Sequence, residues 1–171
     1  GFDYIFLAIP VESIKKQLKI ILDKISKETL VIDLGSTKYQ ICNSVKTHNN
    51  RGNFLASHPI AGTEFSGPIA ARKDLFNNKV MILCETENTN SSLLLSAIEI
   101  FKKLGMNIKT MGSLEHDKHI AYVSHLSHIS SFMLGKTVMD KEDDDQTIYD
   151  MAGSGFESTV RLAKSSPEMW S

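Results

Sequence analysis

The sequence predicts an α/β protein: part of a doubly wound, mostly parallel sheet, followed by the start of an all-helical region. Two observations carry this expectation. Short apolar runs alternate with amphipathic helical stretches of about a dozen residues up to Gly112, the pattern of repeated βαβ units. Beyond Gly112 the alternation stops, and Ser113 to Asp140 contains no proline and a single glycine, as one long helix would.

The elements follow in order. "DYIFLAI" (3–9), closed by Pro10, reads as a buried parallel strand. "VESIKKQLKIILDKI" places Ile14, Leu18, Ile21, Leu22 and Ile25 at helical spacing, with lysines on the other face. "ETLVIDLG" is a second strand stopped by Gly35. A helix to about residue 47 leads to a strand, "NFLAS", and then to the bend "SHPIAGTEFSGP" (57–68). "KVMILCE" is a further strand. "SSLLLSAIEIFKKLG" is a helix with a serine cap and a glycine stop, and "MNIKTM" is the last strand. On the long helix, Val123, Leu126, Ile129 and Phe132 point in different directions, so burial on most sides is expected, against more of the same domain or a second subunit. The predicted division is 1–112 and 113–171.

Composition narrows the function classes. The 171 residues are 42% hydrophobic and 23% charged, with a formal net charge of -1, which suits a globular protein with a sizeable core. Sixteen lysines are scattered and there are only three arginines, Arg51, Arg72 and Arg161, a pattern that excludes a basic nucleic-acid or lipid surface. Cys42 and Cys84 lack metal-type spacing and read as buried thiols of a reducing compartment. No targeting or membrane-spanning segment is evident, and a cytoplasmic address is expected. The abrupt start at "GFDYIFLAIP" and the stop just after Trp170 are expected to be cuts in a longer chain.

Four groups of residues could carry chemistry. In open α/β sheets, ligands bind beyond the carboxyl ends of the strands, and "DLGSTK" (33–38) occupies such an end. There Gly35 allows close backbone approach, Ser36 can donate and accept, and Lys38 opposes the dipole of the helix it begins. The alternative reading is a plain strand-to-helix junction with Ser36 as cap. His58 in the bend projects toward the same edge, although a turn holding an idle histidine would look alike. His116, His119, His125 and His128 form two H-x-x-H pairs about 180° apart on a helix, which argues against one four-ligand metal site. His125 and His128 share a face and could meet one ligand, or be a hydrogen-bonded core pair. Arg161, after the glycine-rich "AGSG", suits bidentate carboxylate binding, or a surface ion pair.

Taken in series, "VIDLGSTK", "SHPIAGTEFSGP", "YVSHLSH" and "AGSGFESTVRLAKSSPEMW" resemble the prephenate dehydrogenase family of tyrosine biosynthesis over nearly the whole chain. The resemblance implies a Rossmann-type dinucleotide-binding domain, here its C-terminal part, joined to the start of a helical dimerisation domain through which two subunits interlock. It implies oxidative decarboxylation of prephenate to 4-hydroxyphenylpyruvate and CO2, with hydride passing to NAD or NADP. By the same matching, His58 is the catalytic histidine and Ser36 holds it in register with the substrate hydroxyl. Arg161 binds a substrate carboxylate, His128 and His125 face the substrate, Glu64 edges the pocket, and Trp170 walls it. Pro10, Gly35, Ser36 and Lys38 are expected on the cofactor side, and no metal is expected. "SHLSH" departs from the proline many relatives carry at the position of Ser127, which bears on local helix geometry. The glycine-rich turn and the ribose-binding acid belong upstream of residue 1, so this piece is expected to be inactive alone. Arogenate dehydrogenase and a non-catalytic dimerisation or regulatory module are the competing readings. A β-hydroxyacid dehydrogenase would place a lysine within residues 120–132, which contain none.

Overall fold

The computed structural model describes residues 1–62, 71–142 and 147–164. The chain divides into two compact units, one of residues 1–62 and 71–118, the other of residues 63–70 and 119–171.

The first unit is a five-stranded sheet in the order β1 (Tyr4–Leu7), β2 (Leu30–Asp33), β3 (Phe54–Ile60), β4 (Val80–Cys84), β5 (Asn107–Met111). Strands β1, β2 and β3 are mutually parallel, and β4 and β5 are parallel to each other. The junction β3–β4 is antiparallel, so the sheet is mixed where uniform βαβ repetition would have made it parallel throughout. No helix separates β3 from β4 among the described residues, and without a crossover a neighbouring strand can return in the opposite direction.

Helices cover both faces. On one, α1 (Val11–Leu22) buries Ile14, Leu18 and Leu22, and α2 (Tyr39–Ser44) buries Ile41 and Cys42, against Leu7, Val31, Phe54, Ala56 and Ile82. On the other, α3 (Ser91–Lys103) sets Ala97 and Phe101 against Leu30, Ile32, Leu55, Met81 and Leu83. Successive residues of β2 and β3 serve opposite faces, as the period of two requires. The cap of α3 is Asn90, whose side chain accepts the Ser92 N–H, rather than a serine; the expected glycine stop holds, with Gly105 at φ +74°. In β1, Leu7 is in the core, Ile5 and Tyr4 pack on opposite faces of the sheet, and Phe6 is exposed.

Strand β3 overruns its predicted end. "SHPI" stays extended because β4 continues to pair with it, from Ser57↔Leu83 to Ile60↔Val80. Pro59 is tolerated there because it lies past Ala56, the last β3 residue paired with β2. Residues 63–68 of the bend, Glu64 among them, lie outside the described residues.

The predicted long helix is realised as α4 (Ser113–Ile120), a π-helical turn (Ala121–His125) and α5 (Leu126–Glu142). The π-helical turn ends two residues before Ser127. Residues of α4 up to Lys118 belong to the first compact unit. Three of them are tied there: Ser113 donates to Glu85, His116 meets His58, and Asp117 meets the start of α2.

In the second unit, α5 crosses α6 (Ser154–Val160) and a 3-10 turn, Arg161–Lys164. Ser131 is the anchor: its hydroxyl donates to the Thr159 carbonyl at 2.9 Å and accepts the Ala163 N–H at 3.1 Å. Gly135 faces Ala163 and Val160, where an added Cβ would make ordinary van der Waals contact at 3.8 and 3.9 Å. The expected burial on most sides is not met within the chain. Tyr122 (73%), Val123 (71%), Leu126 (54%) and Ile129 (56%) stand exposed. No helix among the described residues is long and apolar enough to cross a membrane.

Candidate active site

The carboxyl end of β2 is organised from inside the protein. Asp33, its last residue, is fully buried, accepts the Gly35 N–H at 2.8 Å and pairs with the equally buried Lys38 ammonium. Lys38 donates a second bond to the Ser57 carbonyl at 2.7 Å, and the Ser57 hydroxyl donates to the Asp33 carbonyl at 2.7 Å. The turn after β2 is therefore stitched to β3. Burial pushes the Asp33 carboxyl above its ordinary range against the pull of Lys38, and its Oδ2 has no hydrogen-bond partner among the described residues.

Two of the residues expected on the cofactor side, Lys38 and Gly35, are engaged by the protein itself. Lys38 has no exposed surface, and its charge is spent on Asp33 and Ser57 instead of facing outward from the helix start. Gly35 is required by its own neighbours: an added Cβ would lie 3.1 Å from Asp33 Oδ1 and Ile14 Cδ1 and 3.2 Å from Val11 Cγ2. Ser36, by contrast, is exposed in the turn. It does not cap α2, whose N-cap is Lys38 and receives no side-chain cap bond from that residue. Pro10 is exposed at the N-cap of α1, its carbonyl accepting the N–H groups of Ser13 and Ile14.

Within β3, His58 is paired with Ile82 of β4 and is half-buried, two residues past the end of the pairing with β2. Its Nδ1 lies 2.9 Å from Nε2 of His116, the rings edge-on with centroids 5.1 Å apart. His116 is fully buried, and its Nδ1 lies 2.7 Å from Asp117 Oδ1. Asp117 also accepts the N–H groups of Lys38 (2.7 Å) and Tyr39 (2.9 Å), supplying the α2 cap that the local sequence does not. Burial would raise its carboxyl, but the bonds from His116, Tyr39 and Lys38 prevail and hold it below the ordinary range. One carboxylate thus ties the Ser36 turn to the histidine behind His58.

Sequence reasoning singled out His116 only as half of an H-x-x-H pair and passed over Asp117. The available signal was the adjacent "HD" on a helix; the 79 residues separating Asp117 from Lys38 hid its partners. His119 is exposed. No cluster of three or more His, Cys, Asp or Glu suited to a metal ion occurs among the described residues. Cys42 and Cys84 are buried free thiols, Cys84 pushed up to about 12 chiefly by burial.

In the helical unit, His128 donates from Nδ1 to the Ser124 carbonyl at 2.9 Å, which leaves Nε2 as the acceptor nitrogen. His125, at the end of the π turn, is half-buried, and Arg161 is exposed at the C-cap of α6. Trp170 lies outside the described residues.

Comparisons with known proteins agree with this architecture. Residues 1–110 match the family model of the prephenate dehydrogenase nucleotide-binding domain, and residues 112–171 that of the prephenate dehydrogenase dimerization domain. The chain is 27% identical to cyclohexadienyl dehydrogenase of Zymomonas mobilis over 98% of its length, covering 58% of that protein. It is 30% identical to prephenate dehydrogenase of Bacillus subtilis over 97% of its length, covering 45% of that protein. Among solved structures, prephenate dehydrogenase from A. aeolicus in complex with hydroxyphenyl propionate and NAD+ superposes with a TM-score of 0.85 at 30% identity, over 98% of this chain and 58% of that one. Synechocystis arogenate dehydrogenase gives 0.79 at 29% identity, over 98% and 60%. The chain thus spans about half the length of the curated relatives it matches. With both of its parts matched by models of one family, the chain belongs to the prephenate dehydrogenase family.

Proposed function

We propose that the full-length protein carrying this chain oxidatively decarboxylates prephenate to 4-hydroxyphenylpyruvate and CO2, using NAD, with His58 as general base. The supporting observation is the setting of His58 on β3 just past its pairing with β2, backed by the buried His116 and by the Asp117 carboxylate. An imidazole is suited to take a hydroxyl proton near neutral pH, and proton transfer by a positioned side chain contributes about 10²–10⁴ in rate.

The residues at the ends of β1 and β2 suit the nicotinamide–ribose part of a dinucleotide, whose oxidised ring is a cation that a free lysine charge would repel. Pro10 and Ser36 are exposed there, Ser36 offers a hydroxyl, and the Lys38 charge is neutralised internally. NAD, when bound, supplies a hydride acceptor for the ring hydrogen that prephenate loses. His58 removes the proton of the ring hydroxyl, so that the oxygen's electrons form the C–O double bond as the C4–H bond breaks. Cleavage of the bond to the ring carboxylate then releases CO2, its electrons enter the ring, and the oxygen regains a proton as the aromatic product forms. Ser36 positions the hydroxyl. Arg161 takes a substrate carboxylate as a bidentate partner, His128 and His125 present imidazoles to the substrate, and Glu64 and Trp170 complete the binding residues; for these five the family resemblance carries the assignment. Homodimerisation through the helical unit and a cytoplasmic address belong to the same reading.

The test is product stoichiometry. Full-length protein given prephenate and NAD should form NADH, CO2 and 4-hydroxyphenylpyruvate in equal amounts. Absence of prephenate-dependent NADH overturns the reading. Preference for arogenate replaces it with the amino-substrate alternative, which the structural likeness to an arogenate dehydrogenase keeps in view.

A further inference from the structure

We infer that Asp117 and His116 act as positioning residues that fix the tautomer of His58, holding its proton on Nδ1 and its lone pair on Nε2. This inference rests on the proposed role of His58 as base and specifies which nitrogen performs it.

Two side-chain hydrogen bonds in series link Asp117 to His116 and His116 to His58. A carboxylate can only accept, so the 2.7 Å contact between Asp117 Oδ1 and His116 Nδ1 places the His116 proton on Nδ1. The carboxylate is held in its ionised form by two backbone N–H donors besides the histidine. A neutral His116 then has a lone pair on Nε2. Across the 2.9 Å contact to His58 Nδ1 one nitrogen must donate, and only His58 can. The basic nitrogen of His58 is therefore Nε2, at the far side of the ring from His116.

The arrangement also serves the charged form. When His58 takes up a proton on Nε2, its Nδ1–H still donates to His116, and the Asp117 charge lies one ring further on. A His116 protonated on both nitrogens would reverse the second bond and force the His58 proton onto Nε2, where it would block the base. The assigned tautomer therefore belongs to a His116 that carries one proton, on Nδ1. Because Asp117 grips Lys38 and Tyr39 as well, a displaced relay would also disturb the turn holding Ser36.

The test reads protonation sites directly. Nitrogen-15 NMR of the histidine rings in the full-length protein, with His58 assigned by its disappearance in His58→Asn, should show a protonated Nδ1 and an unprotonated Nε2. In His116→Phe that preference should be lost, and kcat should fall about 10–100-fold with KM little changed, the scale of removing an orienting partner. In His116→Gln the amide oxygen can still accept from His58 Nδ1–H, so the tautomer and part of the turnover should return. If His116→Phe does not fold, the wild-type and His116→Gln spectra decide. A wild-type His58 protonated on Nε2, or an unchanged ring pattern in His116→Phe, overturns the inference. Wild-type protein that shows the expected tautomer but no prephenate turnover would instead overturn the proposed reaction.

Discussion

The two units handle their side chains in opposite ways. In the α/β unit the apolar faces of α1 and α3 are matched to the sheet, and the polar groups at the ends of β2 and β3 are matched to one another. In the helical unit the π turn and the start of α5 leave Tyr122, Val123, Leu126 and Ile129 more than half exposed around a small interior built on Ser131. The difference separates two kinds of specification. The first unit fixes its chemistry by contacts inside itself, whereas the second carries apolar side chains that the described residues do not cover.

If that contrast is right, the largest effect on stability comes from breaking the buried pair. Lys38→Met strands the Asp33 carboxyl in the interior and should cost about 3–5 kcal/mol in urea unfolding of the full-length protein. The double variant Asp33→Asn, Lys38→Met removes both charges and should recover a large part of that loss. A smaller cost follows from Asp117→Ala, which removes the acceptor for His116, Lys38 and Tyr39 and should lose about 1–3 kcal/mol at pH 7. Its sign with pH is fixed. The folded-state carboxyl lies below its unfolded value, so its contribution is present above the ordinary carboxylate pKa of about 3.9 and fades as pH falls through the lowered value. Unfolding midpoints of wild type and variant should therefore converge in acid. The smallest effect on subunit stability belongs to the exposed face: Val123→Ser with Ile129→Ser should change it by about 0.5 kcal/mol or less. The same pair should shift the sedimentation profile toward monomer, and an unchanged dimer would remove this face from the interface.

The helices and strands of the α/β unit were legible because burial on two faces imposes periodicities that a single sequence displays. Ile14, Leu18 and Leu22 on α1 are an example. Strand direction was not legible, since β4 has the same apolar run whether it lies parallel or antiparallel to β3. "DLGSTK" was recognisable as a strand-end motif, but the destination of the Lys38 side chain depends on a carbonyl in β3 that spacing does not reveal. His58 could be singled out from its neighbours in sequence. His116 and Asp117 could not be given their roles, because their partners are 58 to 79 residues away. For the helical unit the sequence shows apolar positions all around one helix, yet not which of them the chain itself covers.

The most direct test of the whole account is His58→Asn in the full-length protein, assayed with prephenate and NAD beside wild type. Asparagine keeps a group able to hydrogen-bond His116 but has no nitrogen that accepts a proton. The account predicts turnover lower by about 10²–10⁴, with thermal unfolding close to wild type. Turnover within a few-fold of wild type in a folded variant would contradict it.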